Sequence, residues 1–209
     1  MSYNYLFKFL IIGNENVGKT SICKRMTGQE IDSSYDQTIG IEFSTCFTKI
    51  PGKLIKSHLW DTSGRRIFAP VITNYFKGIV GIILVYDVSN QKSFQDIDYW
   101  LKQIEKNKSP EYEFKTLLIG NKTDKKNRII TWEMGNNIAQ KNNLLFFETC
   151  AKNRNNNIDE IKENFCTLIH DSHDFTNSHP GIQLPKIIEL KNIKYQEDEF
   201  ALRDCCCCS

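Results

Sequence analysis

The sequence predicts a three-layer α/β domain built on a mostly parallel sheet, and three observations carry that expectation. Six apolar, β-rich runs recur between Lys8 and Glu148, helix-length stretches separate most of them, and a glycine-bearing loop directly follows the first run. The first run, "YLFKFLII", is short, interrupted by Lys8 and without a small-residue cleavage site, so it reads as a strand over Lys8–Gly13 and not as a targeting or membrane segment. Gly18–Thr27 is the first helical stretch. Strands at Ile41–Ile50 and Lys53–Asp61 are joined by the turn signal "KIPGKL", which makes that pair antiparallel. Further strands fall at Gly81–Asp87, Phe114–Gly120 and Leu144–Glu148, with helices at Gln91–Asn107, Thr131–Lys141 and Ile158–His170. Thr131 opens "TWEM" and is placed to cap the helix that follows.

With 209 residues the chain holds one domain, residues 1–172, and an appendage, residues 173–209. The segment "DSHDFTNSHPGIQLP" is polar and turn-rich and reads as a linker. The tail beyond it is expected to be flexible, with "KIIELKNIKYQEDEFALRD" able to form an amphipathic helix against a partner. Apolar residues at 40% and charged residues at 25% are ordinary for a globular chain. A formal net charge of +2 argues neither for nor against a polyanionic partner, and no motif calls for nucleic acid. Cys23, Cys46, Cys150 and Cys166 lack metal-ligand spacing and read as reduced thiols. Ser2 excludes N-myristoylation, which requires glycine there.

"GNENVGKT", Gly13 to Thr20, matches G-x-x-x-x-G-K-[ST] between a strand and a helix, the context in which the pattern binds phosphate. The backbone N–H groups of Gly13, Asn14, Glu15, Asn16, Val17 and Gly18 line such a loop. Lys19 reaches the β- and γ-phosphates, and the Thr20 hydroxyl goes to Mg²⁺. That loop alone leaves kinases, ATPases and GTPases open. "NKTD" follows the strand "TLLIG", at the strand end where α/β sheets bind ligands. Asp124 can accept both the N1–H and the exocyclic amine of guanine, a pair that adenine does not offer. Asn121 ties the base to the loop, and the Lys122 stem covers the ring. "ETCAK" places the Ala151 N–H toward guanine O6, between Cys150 and Lys152. A P-loop kinase is disfavoured by "NKTD" and by the lack of an acceptor-binding insertion.

With these motifs the chain resembles the Ras-related small GTPases, and the Rab family most. The resemblance runs from about Lys8 to His170 and includes "TIGIEF" (Thr38 to Phe43), "LVYDVSN" (Leu84 to Asn90) and "YWLKQI" (Tyr99 to Ile104). It implies a P-loop GTPase domain with a six-stranded sheet, one strand antiparallel and helices on both faces. It also implies a GTP/GDP switch that recruits effectors to membranes in vesicle traffic. Residue by residue, it makes Thr38 a second Mg²⁺ ligand and Asp61 of "DTSG" a ligand through water. It gives the Gly64 N–H a γ-phosphate contact, adds Ser21 to the pocket and makes Tyr35 a cover over the phosphates. The terminal "CCCC", without spacers for a metal, is similar to a family prenylation site. Cys207 and Cys208 are favoured there, with Cys205 and Cys206 as alternatives. Implied partners are exchange factors, activating proteins, escort proteins, GDP-dissociation inhibitors and effectors. The implied location is the cytoplasmic face of an intracellular or plasma membrane, with a cytosolic pool.

Departures from the family pattern touch the nucleotide. Glu15 replaces a small residue, Asn16 a glycine, and Ile31 an aromatic contact to guanine. Arg65 stands where a water-orienting glutamine is expected, and a guanidinium cannot both accept from and donate to one water. The expectation is slow intrinsic hydrolysis with weaker nucleotide retention, and an Arg65–Glu15 pair across the γ-phosphate mouth. A rarer variant has Arg65 or Arg66 acting as an arginine finger in cis. The alternative function is a GTP-stabilised effector-binding module with little or no hydrolysis.

Overall fold

The computed structural model describes residues 2–31, 38–108, 113–153, 156–173 and 182–183. The chain runs β1 (Tyr5–Ile12), α1 (Lys19–Met26), β2 (Ile41–Ile50), β3 (Lys53–Thr62), a 3₁₀ turn at Arg66–Phe68 and α2 (Ala69–Thr73). It continues through β4 (Gly81–Asp87), α3 (Gln91–Gln95), α4 (Ile97–Lys106), β5 (Lys115–Asn121), α5 (Trp132–Lys141), β6 (Leu145–Glu148), α6 (Ile158–Ser172) and β7 (Ile182–Gln183).

The sequence of β1 is apolar at six of its eight positions because the strand is covered on both sides. Phe7, Phe9 and Ile11 face one core and Leu10 and Ile12 the other. β1 lies inside the order β2-β3-β1-β4-β5-β6, parallel to β3 and β4. β2 pairs antiparallel with β3, as the "KIPGKL" turn requires, with Phe43 opposite Trp60. α1 and α6 cover one face through Ile22, Met26, Ile161 and Phe165. The other face carries Ile72 from α2, Phe94 from α3, Trp100 and Ile104 from α4, and Ala139 from α5. The sheet and its two helical layers are therefore those the sequence predicts.

Two features differ in detail from the sequence reading. The single helix expected over Gln91–Asn107 divides at Asp96, whose ψ of −4° ends α3 and begins α4. Within the segment read as a linker, Ile182–Gln183 forms β7, antiparallel to Leu6–Phe7 of β1, and Ile182 packs on the α1/α6 core. Four residues of β1, Tyr5–Lys8, precede the stretch that pairs with β4, since that register begins at Phe9 and leaves that side of Leu6 and Phe7 open to β7. Among the described residues no helix is long and apolar enough to cross a membrane.

Candidate functional site

Parallel strands that start together also end together, so the carboxyl ends of β1, β3, β4, β5 and β6 deliver their loops to one edge. At that edge β1 hands over to the phosphate loop. Gly13 has φ +136° and a Cβ there would overlap the Val85 carbonyl, so only glycine fits. Asn16 has φ +63°, a left-handed conformation that asparagine tolerates better than most residues, which makes the exchange for glycine conformationally mild. Val17 is buried in the α1/α6 core, and Ser21 is half-buried on the first turn of α1.

The residues expected to read the base converge around Asn121. Its amide donates to the Val17 carbonyl at 2.8 Å, and its Oδ1 accepts from the Ala151 N–H at 3.1 Å, so one side chain joins three loops. Lys122 adopts φ +68° and turns its ammonium to the Asn16 carbonyl and, at 2.9 Å, to Asp87 Oδ2. The Cys150 thiol donates to Asp124 Oδ1 at 3.0 Å. Burial and the Asp124 carboxylate together push that thiol above its ordinary value. Arg25 of α1 clasps the same loop through the Ala151 carbonyl at 2.9 Å and the Lys152 carbonyl at 3.2 Å.

On the phosphate side, Lys19 is 6% exposed and donates to the Asn14 carbonyl at 2.8 Å. Burial pushes its ammonium down to about 8, against the pull of Asp61 and Glu15. The Thr20 hydroxyl donates to Asp61 Oδ2 at 2.5 Å and lies 2.9 Å from the Thr38 hydroxyl. Burial lifts Asp61 to about 6, opposed by the Thr20 bond and by Lys19. Its second oxygen, Oδ1, is buried and makes no hydrogen bond. Three hard oxygen ligands with one orphaned carboxylate oxygen fit a small divalent cation such as Mg²⁺. Gly64 lies so close to the Asn14–Glu15 peptide that a Cβ would overlap it.

Arg65 Nε stands 3.8 Å from Glu15 Oε2, with both side chains about half exposed (51% and 52%), so the two departures face each other. Arg66 points elsewhere, to Asp96 at 2.7 Å and over the Tyr99 ring, and so is engaged away from the phosphates. Ile31 packs against the α1/α6 core. Tyr35 and Cys205–Cys208 lie outside the described residues. Sequence reasoning missed Asp87, which orients Lys122 and is itself fixed by Ser89, and Arg25. An aspartate closing the buried run "GIILVYD" was a legible signal for the former; a lone arginine on a helix gave none for the latter.

Around this edge lies an exposed apolar patch: Ile39, Phe43, Ile67 and Val71, with Phe43, Trp60 and Tyr75 forming a ring chain at centroid spacings of 4.9 Å. Among known proteins, the Ras family model matches residues 8–173. The chain is 40% identical to Ras-related protein Rab-13 of Rattus norvegicus over 81% of each chain. It is 38% identical to Ras-related protein Rab-8B of Pongo abelii, over 81% of this chain and 80% of that one. It is also 32% identical to Ras-related protein RABA1b of Arabidopsis thaliana, over 99% of this chain and 95% of that one.

Proposed function

The chain belongs to the Rab family of Ras-related small GTPases, the GTPases of vesicle traffic, and from that premise we propose that it is a GTP/GDP switch whose intrinsic hydrolysis is slow. One observation supports the second half of this reading: Arg65, which the family resemblance puts where a water-orienting glutamine is expected, faces Glu15 at 3.8 Å. Phosphoryl transfer leaves the protein mainly positioning and charge stabilisation to supply. Lys19 and the loop N–H groups hold the phosphates, and Thr20, Thr38 and, through water, Asp61 hold Mg²⁺, which neutralises phosphate charge. The Gly64 N–H meets the γ-phosphate. None of these groups orients the attacking water. A guanidinium has no acceptor for its proton, and Glu15 holds Arg65 as an exposed pair worth little in stability but enough to bias its rotamer.

Single-turnover GTP hydrolysis by wild type, Arg65→Gln and Arg65→Ala tests this. Arg65→Gln is expected to speed turnover on the order of ten-fold, while Arg65→Ala stays slow. Slowing in both variants would assign Arg65 as a finger in cis, and an ordinary wild-type rate would remove the impairment. The exposed patch of Ile39, Phe43, Ile67 and Val71 supports effector docking whether or not hydrolysis runs. Mostly GTP in freshly purified protein would therefore favour a recruitment module, and mostly GDP a cycling switch. Two prenyl groups on Cys207 and Cys208 anchor the chain to a cytoplasmic membrane face. Serine at both positions, and at Cys205 and Cys206 in a second variant, is expected to move the protein from the membrane to the soluble fraction.

A further inference from the structure

Where α3 gives way to α4, the described residues hold a polar network that guanine recognition does not require. The Asp96 side chain is 13% exposed and carries two short bonds, from Asn14 Nδ2 to Oδ2 at 2.7 Å and from Arg66 Nη2 to Oδ1 at 2.7 Å. Lys92 stands 3.9 Å away. One turn along α4, Trp100 donates its indole N–H to Asn14 Oδ1 at 2.8 Å, so both ends of the Asn14 amide are held. Tyr99 backs the Arg66 guanidinium, 4.3 Å from ring centroid to carbon. The main chain of Asn14 meanwhile seats Lys19, whose ammonium it accepts at 2.8 Å. A single shielded carboxylate thus joins the phosphate loop, the start of the segment after "DTSG", and the α3–α4 junction.

We propose that Asp96 is a positioning residue that couples this segment, through Arg66, to the phosphate loop, through Asn14, and so sets the rate of nucleotide release. The proposal rests on the switch reading above. Its physical basis is an asymmetry. With Arg66 in place, Asp96 has its charge balanced and presents Oδ2 to Asn14. When Arg66 is drawn away, a mostly buried carboxylate keeps one neutral donor and a distant ammonium, which disfavours its position and loosens the loop that seats Lys19. A partner that displaces the Arg66 segment would therefore loosen its hold on the phosphates from a distance.

Release of a fluorescent GDP analogue from wild type, Arg66→Ala, Asp96→Asn, Asp96→Ala and the double variant Arg66→Ala/Asp96→Ala is the test. Neither residue is placed against the nucleotide, so a merely structural role would lower Tm and leave release alone. Arg66→Ala and Asp96→Asn are each expected to speed release about five-fold, because each removes the charge-assisted bond and keeps an acceptor for Asn14. Asp96→Ala removes both bonds and is expected to exceed them, with the double variant no faster than Asp96→Ala alone. Unchanged release in Arg66→Ala, or effects that multiply in the double variant, would overturn the coupling while nucleotide binding stands. A wild-type chain that binds no guanine nucleotide would overturn the switch reading and this proposal together.

Discussion

Individual side chains in the pocket have been exchanged for others that keep some of the physics and lose the rest. Asn16 keeps the left-handed backbone at φ +63°. Arg65 has neither the neutrality nor the acceptor of an amide, so under the function proposed above its effect would fall on water activation. Beside them, the Cys150 thiol donates to Asp124, and a thiol is a weak donor. Cys150→Ser is expected to hold or tighten GDP affinity and Cys150→Ala to weaken it by about three-fold, since one weak bond to a charged acceptor is lost; titration with a fluorescent GDP analogue reads both. Lys19, Thr20 and Asp124 were candidates in the sequence because motif spacing after a strand singles them out, and Asp61 because of the family resemblance. Asp96 and Arg25 were not, because their partners lie 82 and 126 positions away and no local pattern encodes such a meeting.

Secondary-structure elements show the same division between local and distant causes. Strands were readable from their β-branched and aromatic runs, and α5 from its cap, where the Thr131 hydroxyl accepts from the Met134 N–H at 3.3 Å. The break between α3 and α4 was not, because "SFQDIDYW" contains no glycine or proline and reads as one helix. α3 has its own cap, Asn90 accepting from the Ser93 N–H at 3.1 Å, and the new start at Asp96 coincides with the carboxylate bound by Asn14 and Arg66. That carboxylate also gives the junction a pH signature. Burial alone would raise its pKa, but the Asn14 bond, the Arg66 charge and Lys92 outweigh burial and hold it below the ordinary 3.8. A depressed carboxylate contributes stability that is complete above its unfolded value and is lost as pH falls through its folded one. The stability gap between wild type and Asp96→Asn should therefore be widest near neutral pH and shrink below 3.8, as read by denaturant titration across that range. A gap independent of pH would mean that the ion pair does not hold the junction.

At the scale of the molecule, the mostly parallel sheet with a helical layer on each face followed from the alternation of strands and helices, while the strand order and the docking of β7 did not. Two residues, "IQ", carry no strand signal by themselves, and only the open side of Leu6 and Phe7 gives them a partner. Replacing Ile182 with Asp places a charge against the α1/α6 core. It is expected to cost about 1–2 kcal/mol, the transfer term for a partly covered isoleucine, and to speed amide exchange at Leu6 and Phe7. Unchanged exchange there would mean that β7 does not hold.

β7 also acts as a fairlead for the rest of the chain. Cys205 lies 22 residues beyond Gln183 but 33 beyond Ser172, so at about 3.4 Å per residue its greatest reach is roughly 75 Å from the docked strand against roughly 110 Å from the end of α6. The rope is made fast beside Leu6, and the nucleotide loop begins at Gly13, the opposite end of the same strand. If the chain is held through Cys207 and Cys208 as proposed above, the docking of β7 shortens its greatest reach by about a third.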